Sequence, residues 1–157
     1  APHLQALGAH VTGVGTRART EGDVEVVTPD ALPELFATTD VVVMILPATA
    51  ETIGALSAEL LAALPSHAWV INVGRGATID QDALIAALQA RSIAGAALDV
   101  TVPEPLPVDS PLWDLPNVII TPHGAGGRPI GADALIEHNV RALLDGAPLR
   151  NLVRPAR

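Results

Sequence analysis

Cysteine is absent from the 157 residues, which excludes a disulfide framework and any thiolate nucleophile or thiolate metal ligand. Positive charge is scarce. Nine Lys and Arg stand against 17 Asp and Glu, a net charge of -8, so no surface for neutralising nucleic-acid phosphates is expected. The aromatic residues are Phe36, Trp69 and Trp113, too few for a platform that stacks single-stranded bases. Long apolar runs are also missing: Pro, Gly or polar residues interrupt each one, so no bilayer-spanning segment is expected. The opening stretch APHLQALGAH has neither the basic nor the apolar region of a secretory signal. These absences lead us to expect a soluble cytoplasmic protein without a membrane or nucleic-acid partner. No metal site is expected.

What is present suits a packed domain. Apolar residues make up 49% and charged residues 17%, enough for one core and wrong for disorder. The length is about that of one domain. Residues 1–7 read as the end of a helix closed by Gly8, and residues 10–14 (HVTGV) and 24–27 as strands. Thr28 is expected to cap a helix running through Phe36, with Pro29 and Asp30 in its first turn. Residues 40–46 form an almost unbroken β-branched run, which predicts a strand buried on both faces. Ser57 is expected to cap a helix through Leu64, and residues 69–73 (WVINV) form the next strand. Residues 82–90 carry apolar positions at helical spacing after Asp80. Residues 93–100 and 117–121 then read as strands, and residues 131–144 as a last helix stopped by Asp145-Gly146 and Pro148. Strands alternating with helical segments predict βαβ units and a parallel sheet covered on both faces. The Pro-rich stretch 101–116 is either a site loop at the carboxyl end of a strand or a surface excursion.

Gly13-Val-Gly15-Thr-Arg-Ala18 matches the spacing of a dinucleotide phosphate loop, but such a loop must open a helix whose N-terminus holds the pyrophosphate. Residues 19–23 have no helical periodicity, so the segment is expected to be a strand ending in a glycine turn. The end of that strand still matters. In dinucleotide folds an acid there binds the ribose 2′-hydroxyl, whereas an Arg accommodates a 2′-phosphate. This chain has Thr16 and Arg17 there, with Arg19 behind and no acid, which favours NADP over NAD. The plain alternative is a solvated surface Arg.

Asn72-Val-Gly-Arg-Gly76 places one Arg between two glycines just past a buried strand. Bare flanks of this kind suit a backbone that comes close to something, and the guanidinium fork matches a carboxylate. Asp99 closes a strand, Glu104 lies in the Pro-rich stretch and His123 follows Thr121-Pro122. A His at a strand end with a Glu available is a general acid/base candidate, because the carboxylate orients the ring and favours its protonated form. Singly, each has a structural alternative: Arg75 paired to a surface acid, Glu104 solvated, His123 a hydrogen-bonded buried ring. The other histidines (His3, His10, His67 and His138) have no comparable context.

Together, Asn72-Val-Gly-Arg-Gly-Ala, Gly95-Ala-Ala-Leu-Asp-Val, Pro103-Glu-Pro-Leu-Pro, Pro111-Leu-Trp and Thr121-Pro-His resemble the D-isomer-specific 2-hydroxyacid dehydrogenases, from about Leu7 to Val153. The resemblance implies an α/β chain with a Rossmann-like, doubly wound parallel sheet: a single partial NAD(P)-binding domain over 1–157. In this reading the fold is truncated at its N-terminus, so the first strand, the true glycine loop and most of a substrate-binding domain would precede Ala1. Residues 128–157 would form a C-terminal helix and tail that contact the substrate domain.

The resemblance also assigns roles. Arg75 would bind the substrate carboxylate, His123 would protonate the carbonyl oxygen, Glu104 would be its partner, and Asp99 would hold the nicotinamide carboxamide. Leu46, Pro47, Val73, Gly74, Gly124 and Gly126 would line the cofactor, and Arg75 and His123 would touch it as well as the substrate. The implied reaction moves a hydride between NADP(H) or NAD(H) and a small 2-hydroxy or 2-oxo acid, in the manner of the glyoxylate/hydroxypyruvate branch. A homodimer is implied by resemblance alone. Two departures bear on pocket size: Thr101 stands where the family usually has an aromatic residue, and Gly124 and the Gly126-Gly127 pair replace larger residues after the His. The competing reading is a non-catalytic remnant or interaction module on a dehydrogenase fold.

Overall fold

β-Branched stretches become strands and Ala/Leu-rich stretches become helices, as their rotamer freedom favours. The computed structural model describes residues 1–127 and 129–152. Residue 128 and residues 153–157, part of the stretch expected to form a C-terminal helix and tail, lie outside the described residues. The chain forms two compact units, Ala1–His123 and Gly124–Arg157.

The first unit holds helix α1 (Pro2–Ala6) and strands β1 (Thr12–Val14), β2 (Arg19–Glu21) and β3 (Val24–Val27). Next come α2 (Leu32–Phe36), β4 (Val41–Met44), α3 (Ala58–Ala63) and β5 (Trp69–Asn72). The unit ends with α4 (Gln81–Gln89), β6 (Gly95–Leu98) and β7 (Val118–Ile120). β1 pairs parallel to β3, and β2 antiparallel to β3. β4, β5, β6 and β7 form a separate four-stranded parallel sheet in that order. β2 was not expected. It follows the Gly13–Ala18 segment directly, so that segment ends in a turn between strands and opens no helix.

Three expectations need correction. Thr28 makes no side-chain cap to a backbone N–H; its hydroxyl instead holds the Asp30 carboxyl below the usual carboxylate range. The helix expected through Phe36 divides into a tight turn over Pro29–Ala31 and the short α2, because Pro33 lacks an N–H for a continuous ladder. The third concerns the sheet. Residues 40–46 are not buried on both faces: Val42 and Met44 are buried, while Val41, Val43 and Ile45 are exposed. β4 to β7 follow one another across the sheet, and right-handed crossovers that step in one direction all fall on one face. That face meets Leu61, Leu84, Leu88 and Leu112 around Val42, Val70, Ala96 and Leu98, each buried Val or Leu side chain contributing about 1.5–3 kcal/mol.

Strand register sets the carboxyl edge. Met44, Asn72, Leu98 and Ile120 lie side by side across the four strands, so residues 45–47, 73–75, 99–104 and 121–123 all emerge at the same edge. The loop after β5 is pressed between its neighbours. A Cβ on Gly74 would lie 2.7 Å from the Leu46 carbonyl oxygen, and one on Gly76 would run into the Thr101 backbone. The bare flanks of Arg75 thus have a steric cause on both sides.

In the second unit α5 (Ala132–Leu144) ends before Asp145-Gly146. Asn139 clasps the Arg150 backbone, donating from Nδ2 at 3.0 Å and accepting at Oδ1 at 2.9 Å. Leu135, Ile136, Val140, Leu143 and Leu149 line a shallow apolar groove. No helix among the described residues is long and apolar enough to cross a membrane.

Two outcomes are expected from this packing. Gly76→Ala should cost about 1–3 kcal/mol in thermal unfolding, because the added methyl meets backbone on a neighbouring loop; an unchanged Tm would show that the loops separate freely. β4 is an edge strand with apolar exposed residues, a pairing hazard. Light scattering should therefore detect self-association that Val43→Lys reduces, with stability changed by no more than about 0.5 kcal/mol. A wild-type chain that stays monomeric as concentration rises would contradict this.

Candidate functional site

The loop between β5 and α4 is built by hydrogen bonds from side chains to its own backbone. Asn72, 1% exposed, accepts at Oδ1 from the Gly74 N–H (3.0 Å) and donates from Nδ2 to the Arg75 carbonyl (3.1 Å). The Thr78 hydroxyl donates to the same carbonyl at 2.7 Å. Two buried polar side chains converge on the Arg75 carbonyl, and Asn72 also holds the Gly74 N–H, so each is satisfied as burial requires. Arg75 projects from this frame, and its Nη1 donates to the Gly74 carbonyl at 2.7 Å.

Beyond β6 and β7 an open cleft of about 520 Å³ is lined by Asp99, Thr101, Glu104, Leu106, Trp113 and His123, among others. His123 Nδ1 and Glu104 Oε1 are 2.5 Å apart, and both side chains are a little under half exposed. His123 adopts a left-handed backbone, φ 54°, uncommon for a non-Gly residue and a mark of functional sites when found there. Its N–H donates to the Thr121 carbonyl at 3.0 Å, tightening the turn that brings the ring to Glu104. With Nδ1 given to a carboxylate, Nε2 is the nitrogen available for proton transfer.

Asp99 is 6% exposed and receives a hydrogen bond from the Thr121 hydroxyl at 2.5 Å. Thr121 thereby ties the floor of the cleft to the turn that carries His123. Its role was not anticipated beyond its place in the Thr121-Pro-His motif, because the contact joins two strand ends 22 residues apart. The loop bearing Glu104 is pinned as well. The Trp113 indole N–H donates to the Pro107 carbonyl at 2.8 Å and the Thr101 hydroxyl to the Pro103 carbonyl at 3.1 Å. Gln81 pairs with both backbone groups of Val102, another contact with no sequence signal.

The expected site residues are therefore distributed unevenly. Glu104, His123 and Asp99 meet in the cleft. Arg75 stands at the same carboxyl edge but is not among the residues lining the cleft. Leu46, Pro47, Val73 and Gly74 occupy the strand ends beside it, and the Thr52 hydroxyl donates to the Pro47 carbonyl at 2.5 Å. Thr16 and Arg17 are exposed at the end of β1 in the other sheet and do not touch the cleft. Gly124 and Gly126 open the second unit, directly after His123 in the chain. His67 is paired to Asp40 at 2.8 Å on the surface, away from this site in role. Among the described residues no group of three or more His, Asp or Glu could hold a metal.

This arrangement can be set beside known proteins. Residues 1–125 match the family model for the D-isomer specific 2-hydroxyacid dehydrogenase, NAD binding domain. Glyoxylate/hydroxypyruvate reductase B of Pectobacterium carotovorum is 46% identical over 127 residues, 79% of this chain and 40% of that protein. Glyoxylate/hydroxypyruvate reductase A of Salmonella newport is 42% identical over 120 residues, covering 76% of this chain and 38% of the other. This chain thus spans about two fifths of the length of these curated relatives. Among solved structures, a D-isomer specific 2-hydroxyacid dehydrogenase from Xanthobacter autotrophicus, in complex with NADPH and MES, has a TM-score of 0.87. It is 43% identical, and the match covers 99% of this chain and 65% of that one. An NADPH-dependent glyoxylate/hydroxypyruvate reductase from Sinorhizobium meliloti, in complex with NADP and sulfate, has a TM-score of 0.85 at 33% identity, covering 98% and 50%. The fold is Rossmann-like α/β, and with a family match over residues 1–125 the chain belongs to the D-isomer specific 2-hydroxyacid dehydrogenases, in the region of their NAD-binding domain.

Proposed function

We propose that this chain is the cofactor-binding and acid-base part of an NAD(P)-dependent oxidoreductase acting on small 2-hydroxy or 2-oxo acids of the glyoxylate/hydroxypyruvate type. The observation that carries the reading is the His123–Glu104 pair, 2.5 Å apart across 19 residues and set in a cleft floored by the buried Asp99. Reduction of a 2-oxo acid adds hydride at the carbonyl carbon and develops negative charge on its oxygen. His123 Nε2 gives that oxygen a proton, with Glu104 holding the ring in place. Arg75 binds the substrate carboxylate through its planar fork. The nicotinamide supplies the hydride.

The residues present fit such a cofactor at its two ends. Asp99 in the cleft floor accepts hydrogen bonds and suits the carboxamide N–H₂. Leu46, Pro47, Val73 and Gly74 give the same edge an apolar rim, and Gly124 and Gly126 offer backbone without side chains. At the other end, Thr16 and Arg17 suit a 2′-phosphate, which favours NADP over NAD. A glycine turn opening a helix, the usual pyrophosphate cradle, is not formed by Gly13–Ala18. We accordingly expect the chain alone to bind NADPH weakly and to show little or no turnover. In the whole enzyme we read residues 1–157 as part of one cofactor domain, with the segment from 128 onward facing a substrate-binding domain. A cytoplasmic homodimer is the assembly expected.

The test is a chimera in which this chain replaces the matching stretch of the Pectobacterium reductase. It should oxidise NADPH with glyoxylate or hydroxypyruvate, and His123→Ala should lower kcat by about 10²–10⁴-fold. Arg75→Ala should act on the 2-oxo acid, through KM and kcat together. A folded chimera with no turnover on any small 2-oxo acid would sink the assignment and favour an interaction module. Arg17→Ala should weaken NADPH binding by an order of magnitude or more and leave NADH binding unchanged; equal losses for both would remove the preference for NADP.

A further inference from the structure

Glu104 lies on a stretch without helix or strand, so its position depends on what pins the surrounding backbone. On the downstream side the Trp113 indole holds the Pro107 carbonyl. On the upstream side Gln81 engages both backbone groups of Val102, two residues before Glu104. Its Oε1 accepts from the Val102 N–H at 2.8 Å, and its Nε2 donates to the Val102 carbonyl. A primary amide paired with both backbone groups of one residue stands in for a neighbouring strand, satisfying a donor and an acceptor at once.

The support behind Gln81 is rigid. It is the first residue of α4, directly after Asp80, whose carboxylate caps the helix by accepting from the Ala83 N–H at 3.0 Å. α4 is anchored by Leu84 and Leu88, each 1% exposed. One step before Val102, Thr101 takes the close approach of Gly76. Residues 101–102 are thus the junction where the Arg75 loop, α4 and the Glu104 loop meet.

We propose that Gln81 is a positioning residue for the acid-base pair: through Val102 it fixes the Glu104 carboxylate where it can hold His123 Nδ1. This rests on the reading of Glu104 and His123 as the catalytic pair. Groups a hydrogen bond away from the reacting ones set geometry to within fractions of an ångström, and their loss is felt at the site. Gln81 touches neither substrate nor cofactor in this scheme.

The experiment uses this chain with ¹⁵N-labelled histidine at one fixed pH, reading the ring nitrogens of His123 to report which of them carries the proton and whether Nδ1 is hydrogen-bonded. Glu104→Gln sets the scale by removing the carboxylate. Gln81→Met, of similar length but without the amide, should move the His123 signals by at least half that amount. It should add nothing further in the Glu104→Gln background. Gln81→Glu keeps the acceptor for the Val102 N–H and should move them less than Gln81→Met; it becomes the readout if the Met variant unfolds. Circular dichroism should show α4 intact in each case. A clear response to Glu104→Gln with none to either Gln81 variant would overturn the positioning role while leaving the pair standing. No response to Glu104→Gln would overturn the pair itself, and the proposal with it.

Discussion

The backbone of Gly76 lies against the backbone of Thr101 with no room for a side chain between them, and the layout of the site follows from that approach. β5 and β6 are neighbours in register, Asn72 beside Leu98, so the chain leaving each strand enters the same narrow space. Gly74 meets the residues after β4 in the same way. Three consecutive strand ends are therefore packed backbone to backbone. A loop so confined has few alternative conformations, and this keeps Arg75 at the edge where Asp99 and His123 also emerge. Dispersion and excluded volume set the frame, and hydrogen bonds from Asn72 and Thr78 select one arrangement within it.

The polar groups of the cleft differ in burial. Asp99 is almost fully buried and accepts a hydrogen bond from Thr121. Glu104 and His123 are each nearly half exposed, so solvent and small molecules can reach them. Arg75, folded back on the Gly74 carbonyl, has donors left over, since a guanidinium carries five N–H groups. His123 holds a left-handed backbone, a conformation uncommon for non-Gly residues, in the turn that brings its ring to Glu104.

Much of the fold could be read from residue patterns, for identifiable reasons. Residues 82–90 read as helical because their apolar residues share one face, and α4 occupies Gln81–Gln89. The strands after Asp40, His67 and Ala94 are rich in β-branched or small residues and lie close to where the patterns place them. β2 escaped notice because Arg19-Thr-Glu21 has no apolar alternation; it exists only by pairing with β3. The two-sided burial expected of residues 40–46 failed for a topological reason, since composition does not reveal on which face successive crossovers fall. Within the site, the glycines around Arg75 announced a close approach but not its partners. The pairing of Glu104 with His123 could be proposed from residue types and strengthened by family resemblance, but not located in space, and Gln81 had no local signal because its contact lies 21 residues away.

The two arginines near the end of β1 differ in how they are paired. In sequence Arg17 stands at the strand end with Arg19 behind it. In the structure Arg19 is engaged: its Nε binds Glu21 at 2.6 Å and its Nη1 donates to the Arg17 carbonyl at 3.1 Å. It also sits over Gly15, close enough that a Cβ there would lie 2.8 Å from Nη1. Its charge is partly offset by a carboxylate and its fork is occupied by the turn. Arg17 has no side-chain partner among the described residues, so its full fork is open to solvent. A dianionic 2′-phosphate would gain most from the cation that gives up no existing ion pair to bind it. Arg19 meanwhile holds the turn by its hydrogen bond to the Arg17 carbonyl.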